Sequence, residues 1–112
     1  MPSVARLNDL IEGMTDGEHN GHAASRPPCK IEGSIVRKCS SNVYVNGRPV
    51  ALVGSETEET DCCCPSPQTG TVKTGSPKVF VNKVPLARLG DEIEPHNGEV
   101  FIISGSGNVF AN

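Results

Sequence analysis

Residues 75–91 read GSPKVFVNKVPLARLGD. A small-residue turn leads into an alternating apolar run, then a tight turn, then a second apolar run closed by Gly-Asp. Residues 39–46, CSSNVYVN, and 105–112, GSGNVFAN, repeat the first half. ARLND at 5–9 and ALVGS at 51–55 repeat the ending, and the link NGRPVA at 46–51 parallels NKVPLA at 82–87. Apolar alternation over four to six residues, bounded by Gly, Pro and Asn, is the pattern of a short β-strand. Val43 to Val45 and Val50 to Val53 flank Asn46-Gly47, which predicts a hairpin whose turn needs positive φ. In the second copy Lys83 replaces Gly47, so that turn is expected to take another geometry. Only residues 4–14 carry a weak helical periodicity.

The chain is therefore predicted to be all-β, a single domain over 1–112 made of three short β-repeats at approximately 4–46, 50–82 and 86–112. Repeats of roughly 20–50 residues build arrays in which each unit covers the next. Three units closing around an axis give a body with pseudo-threefold symmetry. Composition agrees: three Phe, one Tyr and no Trp leave little bulk for a large interior, while 12 Gly and 9 Pro imply many turns. A net charge of −3 and the absence of a Lys/Arg cluster give no footprint for nucleic acid. No stretch approaches the roughly 20 apolar residues that span a bilayer. The N-terminal residues lack the basic-then-apolar pattern of a secretory signal, so synthesis and retention in the cytoplasm are expected. Five cysteines, three of them consecutive at 62–64, argue for reduced thiols rather than a disulfide framework.

GSPKVFVN with PLARLGD, the terminal GSGNVFAN, the initial SVARLND and GHAASRPP at 21–28 resemble the PAAR-repeat family over essentially the whole chain. GHAASRPP resembles the phage-type branch. The Pro-Ala-Ala-Arg tetrapeptide itself appears only as Pro85-Leu86-Ala87-Arg88 and Pro49-Val50-Ala51-Leu52, with Cys39 at a Gly position and Ser55 at an Asp position. The resemblance implies a small β-rich cone that caps the trimeric β-helical spike of a contractile phage tail, a type VI secretion apparatus or a related injection machine, one chain per trimer. A metal ion stabilises its point, and the target cell membrane is what it pierces. No catalysis and no small-molecule substrate are implied, and the protein is assembled into the virion tail or injection apparatus. The strands holding NVYV, KVFV and NVFA are expected to meet the spike, through Val43, Val45, Val79, Val81 and Val109.

His19 and His22 follow the first ARLND, His96 follows ARLGD, and the cysteine triplet follows ALVGS. These loops are equivalent in the repeat, so in a closed body they converge at one end. Three imidazoles and one thiolate make a tetrahedral site preferring Zn²⁺, with iron as the alternative. The expected ligands are His19, His22, His96 and one of Cys62, Cys63 and Cys64, with Cys64 named. Cys29 and Cys39 read as small packed residues. The acidic run Glu56, Glu58, Glu59 and Asp61 lacks the spacing of a calcium loop and reads as solvated. Asp9 and Asp91 read as turn acceptors. The competing reading is a free-standing metal-binding protein, a metal chaperone or a metallohydrolase. No general base stands near the proposed ligands to support hydrolysis.

Overall fold

A computed structural model describes residues 2–14, 30–60, 68–94 and 99–111. Ala5, Ala51 and Ala87 meet at its centre, each fully buried. Their backbones bond in a closed cycle. The Ala5 N–H donates to the Ala87 carbonyl (3.0 Å), Ala87 to Ala51 (2.9 Å) and Ala51 to Ala5 (2.9 Å). Three chain segments this close leave room for a methyl group and little more.

The bonds around this cycle recur in threes. Leu7, Val53 and Leu89 donate to the carbonyls of Pro49, Pro85 and Ser3, at 2.8, 3.0 and 2.8 Å. Ser40, Ser76 and Ser106 donate to those of Val50, Leu86 and Val4, at 2.9, 2.8 and 2.8 Å. Bridges Arg6–Val50, Leu52–Leu86 and Val4–Arg88 complete the set.

On one side of the cycle stands a closed antiparallel barrel. Its strands are β1 (Leu10–Met14), β2 (Lys30–Arg37), β5 (Glu56–Thr60), β6 (Gln68–Val72), β9 (Glu92–Glu94) and β10 (Glu99–Ile102), in the order β1-β10-β9-β6-β5-β2. Closure leaves no unpaired edge. Side chains alternate across the wall, and Ile11, Ile31, Ile35, Val72, Ile93, Val100 and Ile102 point inward to form one core with the three alanines. On the other side lie two hairpins, β3 (Tyr44–Val45) with β4 (Arg48–Pro49) and β7 (Phe80–Val81) with β8 (Val84–Pro85). The third equivalent is made by the chain's two end segments: Ser3 pairs with Phe110 as Pro49 pairs with Tyr44 and Pro85 with Phe80. A second core of Val4, Val50, Leu52, Leu86 and Ala111 fills this side. The principal extents are 43 × 23 × 23 Å, an elongated body.

The described residues are all-β, as expected, and residues 10–14 are strand where a weak helical pattern ran. Asn46 and Gly47 have φ of 55° and 79°, the positive pair of a two-residue hairpin turn. The second turn corrects an expectation. Asn82 and Lys83 take 52° and 70°, so Lys83 adopts the same geometry as Gly47 instead of a different one. The surrounding ladder imposes the turn, because Leu86 must still donate to Val79 as Val50 does to Val43, both at 3.0 Å.

The left-handed conformation costs a non-glycine residue about 1 kcal/mol, so Lys83→Gly is expected to raise stability by about that amount in urea unfolding. Enlarging the central cycle should do the reverse. Ala51→Leu is expected to lose about 3 kcal/mol through overpacking, whereas Val53→Leu, outside the cycle, should lose under about 1 kcal/mol; equal losses would show that the axis is not tightly packed.

Candidate functional site

The two ends of the body differ in chemistry. At the hairpin end each equivalent strand presents one aromatic ring to solvent: Tyr44 is 58% exposed, Phe80 55% and Phe110 47%. Each sits across from the residue two before a cycle alanine, so the three rings are related as the alanines are. The turn before each ring is held by a buried serine. The Ser40 Oγ accepts from the N–H groups of Asn42 (3.2 Å) and Val43 (3.0 Å). Ser76 does so from Lys78 (3.0 Å) and Val79 (2.8 Å), and Ser106 from Asn108 (3.1 Å) and Val109 (2.9 Å). Neighbouring units are then tied through asparagines, Asn46 Nδ2 donating to Asn108 Oδ1 (2.9 Å) and Asn82 Nδ2 to Asn42 Oδ1 (3.1 Å). The rings thus stand on rigid supports.

The valines expected on this surface divide. Val43 and Val109 are exposed, whereas Val45, Val79 and Val81 are half-buried and packed on the second core. Alternation along each strand puts the aromatic on the opposite face from its valine neighbours. Tyr44, Phe80 and Phe110 are therefore the larger part of the exposed apolar surface here, and the V-aromatic-V/A pattern was their signal in the sequence.

Below this face the turn acceptors hold the cycle in place. Asp9 Oδ2 accepts from the backbone N–H of Arg6 (2.7 Å) and from its Nε (2.9 Å), and Oδ1 accepts from Arg6 Nη2 (3.0 Å) and Ser104 Oγ (2.9 Å). Asp91 repeats the arrangement with Arg88, at 2.7 Å to the backbone N–H and 3.0 Å to Nη2. In the middle unit Ser55 Oγ takes the Leu52 N–H (2.9 Å), so the acid and its arginine are replaced together and no buried charge is stranded. Burial alone would raise the Asp9 carboxyl. The hydrogen bonds from Arg6 and Ser104, with the guanidinium charge, outweigh it and hold the group below the ordinary carboxylate value.

At the opposite end, β1, β5 and β9 end and β2, β6 and β10 begin. The described strand ends that flank residues 15–29, 61–67 and 95–98 all lie at this one rim. The expected metal ligands His19, His22, Cys64 and His96, with Cys29, Cys62 and Cys63, lie outside the described residues. Among the described residues no cluster of three or more His, Cys, Asp or Glu could hold a metal ion. Cys39 is half-buried against the barrel core, and burial pushes its thiol up despite a hydrogen bond with Ser55, in keeping with a packed residue.

The acidic run corrects a second expectation. Glu56–Thr60 is a barrel strand, not a solvated loop, and Glu59 is fully buried. Strand alternation sends Glu56 and Glu58 outward and turns Thr57 and Glu59 into the interior. Glu56 meets Arg37 and Lys38, whose hydrogen bonds hold its carboxyl below the ordinary value.

No protein-family model and no curated protein matches the chain.

Asp9→Asn leaves the buried Arg6 guanidinium without its counter-charge and is expected to cost about 3 kcal/mol near neutral pH. Because the folded carboxyl lies below its unfolded value, its contribution is complete above about pH 4 and is lost as pH falls through the folded value. The gap between wild type and variant in urea midpoint should therefore begin to narrow below about pH 4 and go on narrowing as the pH falls; a gap that did not narrow with acid would assign the loss to something other than the charge.

Proposed function

We propose that this chain is the tip of a contractile injection spike, one molecule closing the end of a homotrimeric β-helical protein. The observation that carries the proposal is the set of three equivalent exposed rings, Tyr44, Phe80 and Phe110, arranged around the alanine cycle. A single chain gains from offering the same contact three times only if its partner also presents one surface three times, which is what a homotrimer does. The end of a β-helix exposes a row of unpaired backbone groups, a liability that a cap removes. Aromatic anchors on rigid supports suit such an interface, since they bury large areas at little entropic cost.

The resemblance to PAAR repeats and the elongated form support the same reading. In it the barrel end is the point of a small pseudo-threefold cone. His19, His22, His96 and Cys64 hold Zn²⁺ there and tie three loops together where the cross-section is too small for a hydrophobic core. The role is mechanical: the tip is carried into the target membrane and catalyses nothing.

Co-expression with a trimeric β-helical spike protein from a neighbouring gene tests the proposal. The expected complex has one chain per trimer by mass, and zinc analysis should give about one ion per chain, removable by a strong chelator. Tyr44→Ser with Phe80→Ser and Phe110→Ser should weaken the complex by more than about 100-fold, while Thr69→Ser on the barrel wall should leave it unchanged. A free homotrimer of this chain, or no association with the spike, would remove the cap reading.

A further inference from the structure

The aromatic face carries a second threefold feature. Two residues before each ring, in the serine-braced turn, stand Asn42, Lys78 and Asn108, all exposed. Lys78 can only donate hydrogen bonds. The two asparagines are held so that they do the same. The Arg6 guanidinium also only donates, so the Asn46 atom it meets at 3.0 Å is Oδ1, and the Asn46 Nδ2 is left to donate to Asn108 Oδ1 (2.9 Å). Ser40 Oγ accepts two backbone N–H groups, which leaves its own hydrogen for Asn42 Oδ1 (3.1 Å). Asn82 Nδ2 donates to the same oxygen (3.1 Å). With both amide oxygens turned to their own chain, Asn42 and Asn108 offer Nδ2, and neither Nδ2 has an acceptor among the described residues. Charge follows the same division. Every glutamate among the described residues lies on a barrel strand, and the carboxylates towards the hairpins are those of Asp9 and Asp91, both buried. Lys78 and Lys83, which flank Phe80, are exposed and have no ion pair among the described residues.

We propose that the partner surface carries one carboxylate per chain, an aspartate or glutamate that accepts from Asn42, Lys78 or Asn108 beside each ring. The inference rests on the cap reading above and names the chemistry of that partner. A homotrimer presents one group three times, and here that group must suit two amides and an ammonium alike. Only an acceptor does so. A carboxylate accepts and never donates when ionised, and its charge complements a face with two unpaired ammonium groups and no exposed carboxylate. Phosphate is the other anionic acceptor, but lipid and nucleic-acid surfaces present it in no threefold set. The acidic barrel would also oppose such a surface, since binding to it depends on many cationic contacts. The rings then supply the buried area, and the donors beside them reject partners whose rim is cationic.

The test measures affinity for the same trimeric spike protein at low and high salt, with thermal unfolding of each free variant. Asn42→Asp with Asn108→Asp keeps the oxygens that bind Ser40, Asn82 and Asn46 but turns each outward donor into an anionic acceptor. It should weaken the complex by about 100-fold or more at low salt without lowering the thermal midpoint. Lys78→Asn keeps a donor and loses only the charge, so it should cost about threefold and flatten the salt dependence. Lys78→Glu, at a position with no partner in its own chain, should cost about 10-fold and gives a reading should the double variant fail to fold. Glu58→Gln on the barrel wall should leave binding unchanged. Equal binding by wild type and the folded aspartate or glutamate variants overturns the inference while the cap stands, and a wild-type affinity that does not fall with salt overturns the carboxylate. Wild type that binds anionic phosphatidylglycerol vesicles instead of the spike, or binds neither, overturns the cap reading and this one together. The wild-type measurement alone therefore tells the two failures apart.

Discussion

Everything in this molecule is arranged around three backbone hydrogen bonds that join Ala5, Ala87 and Ala51 head to tail in a cycle. The cycle has no free donor or acceptor along its circuit, and full burial keeps water from competing for it. Its narrowness sets the side-chain size at the axis. Its threefold repetition forces the segments on either side into equivalent paths, barrel strands one way and short hairpins the other. The turn acceptors Asp9, Ser55 and Asp91 sit four residues beyond the alanines and fix the direction in which each strand leaves. Where Ser55 stands for an acid, Leu52 stands for an arginine, so the hydrogen bond survives without a buried charge.

This arrangement divides the work between the ends. Towards the hairpins the chain offers three nearly identical surfaces, each a ring on a serine-braced turn. Towards the barrel rim the equivalence breaks down, with isoleucine and glycine on one inward strand and threonine and glutamate on another. A repeated surface suits a partner that is itself repeated, while a departure from repetition suits something present once. The threefold aromatic face is the ground on which a trimeric partner is proposed.

Local chemistry was readable from the residues, and long-range placement was not. The Asn46-Gly47 turn and the roles of Asp9 and Asp91 depend on groups within four residues of each other. At Lys83 propensity favours glycine, but the ladder between Val79 and Leu86 holds the turn with a lysine in it. The acidic strand carries no such mark, because hydrophobic alternation is the signal for a half-buried strand and Glu56–Thr60 contains no hydrophobic residue at all. Likewise Val-Phe-Val showed that ring and valines face opposite ways, but not which side meets the core.

The sequence by itself determined the all-β class, the positive-φ first turn, the aspartate acceptors and the recurrence of small residues at three corresponding places. Those features are short-range, and each has a side-chain signature. Only the tertiary structure decided the alanine cycle, the closed barrel, the pairing of the chain's two end segments as a third hairpin, and the inward turn of Glu59. Backbone bonds between distant segments leave no mark on the side chains that flank them. A buried polar residue looks like a surface one until the strands around it have closed.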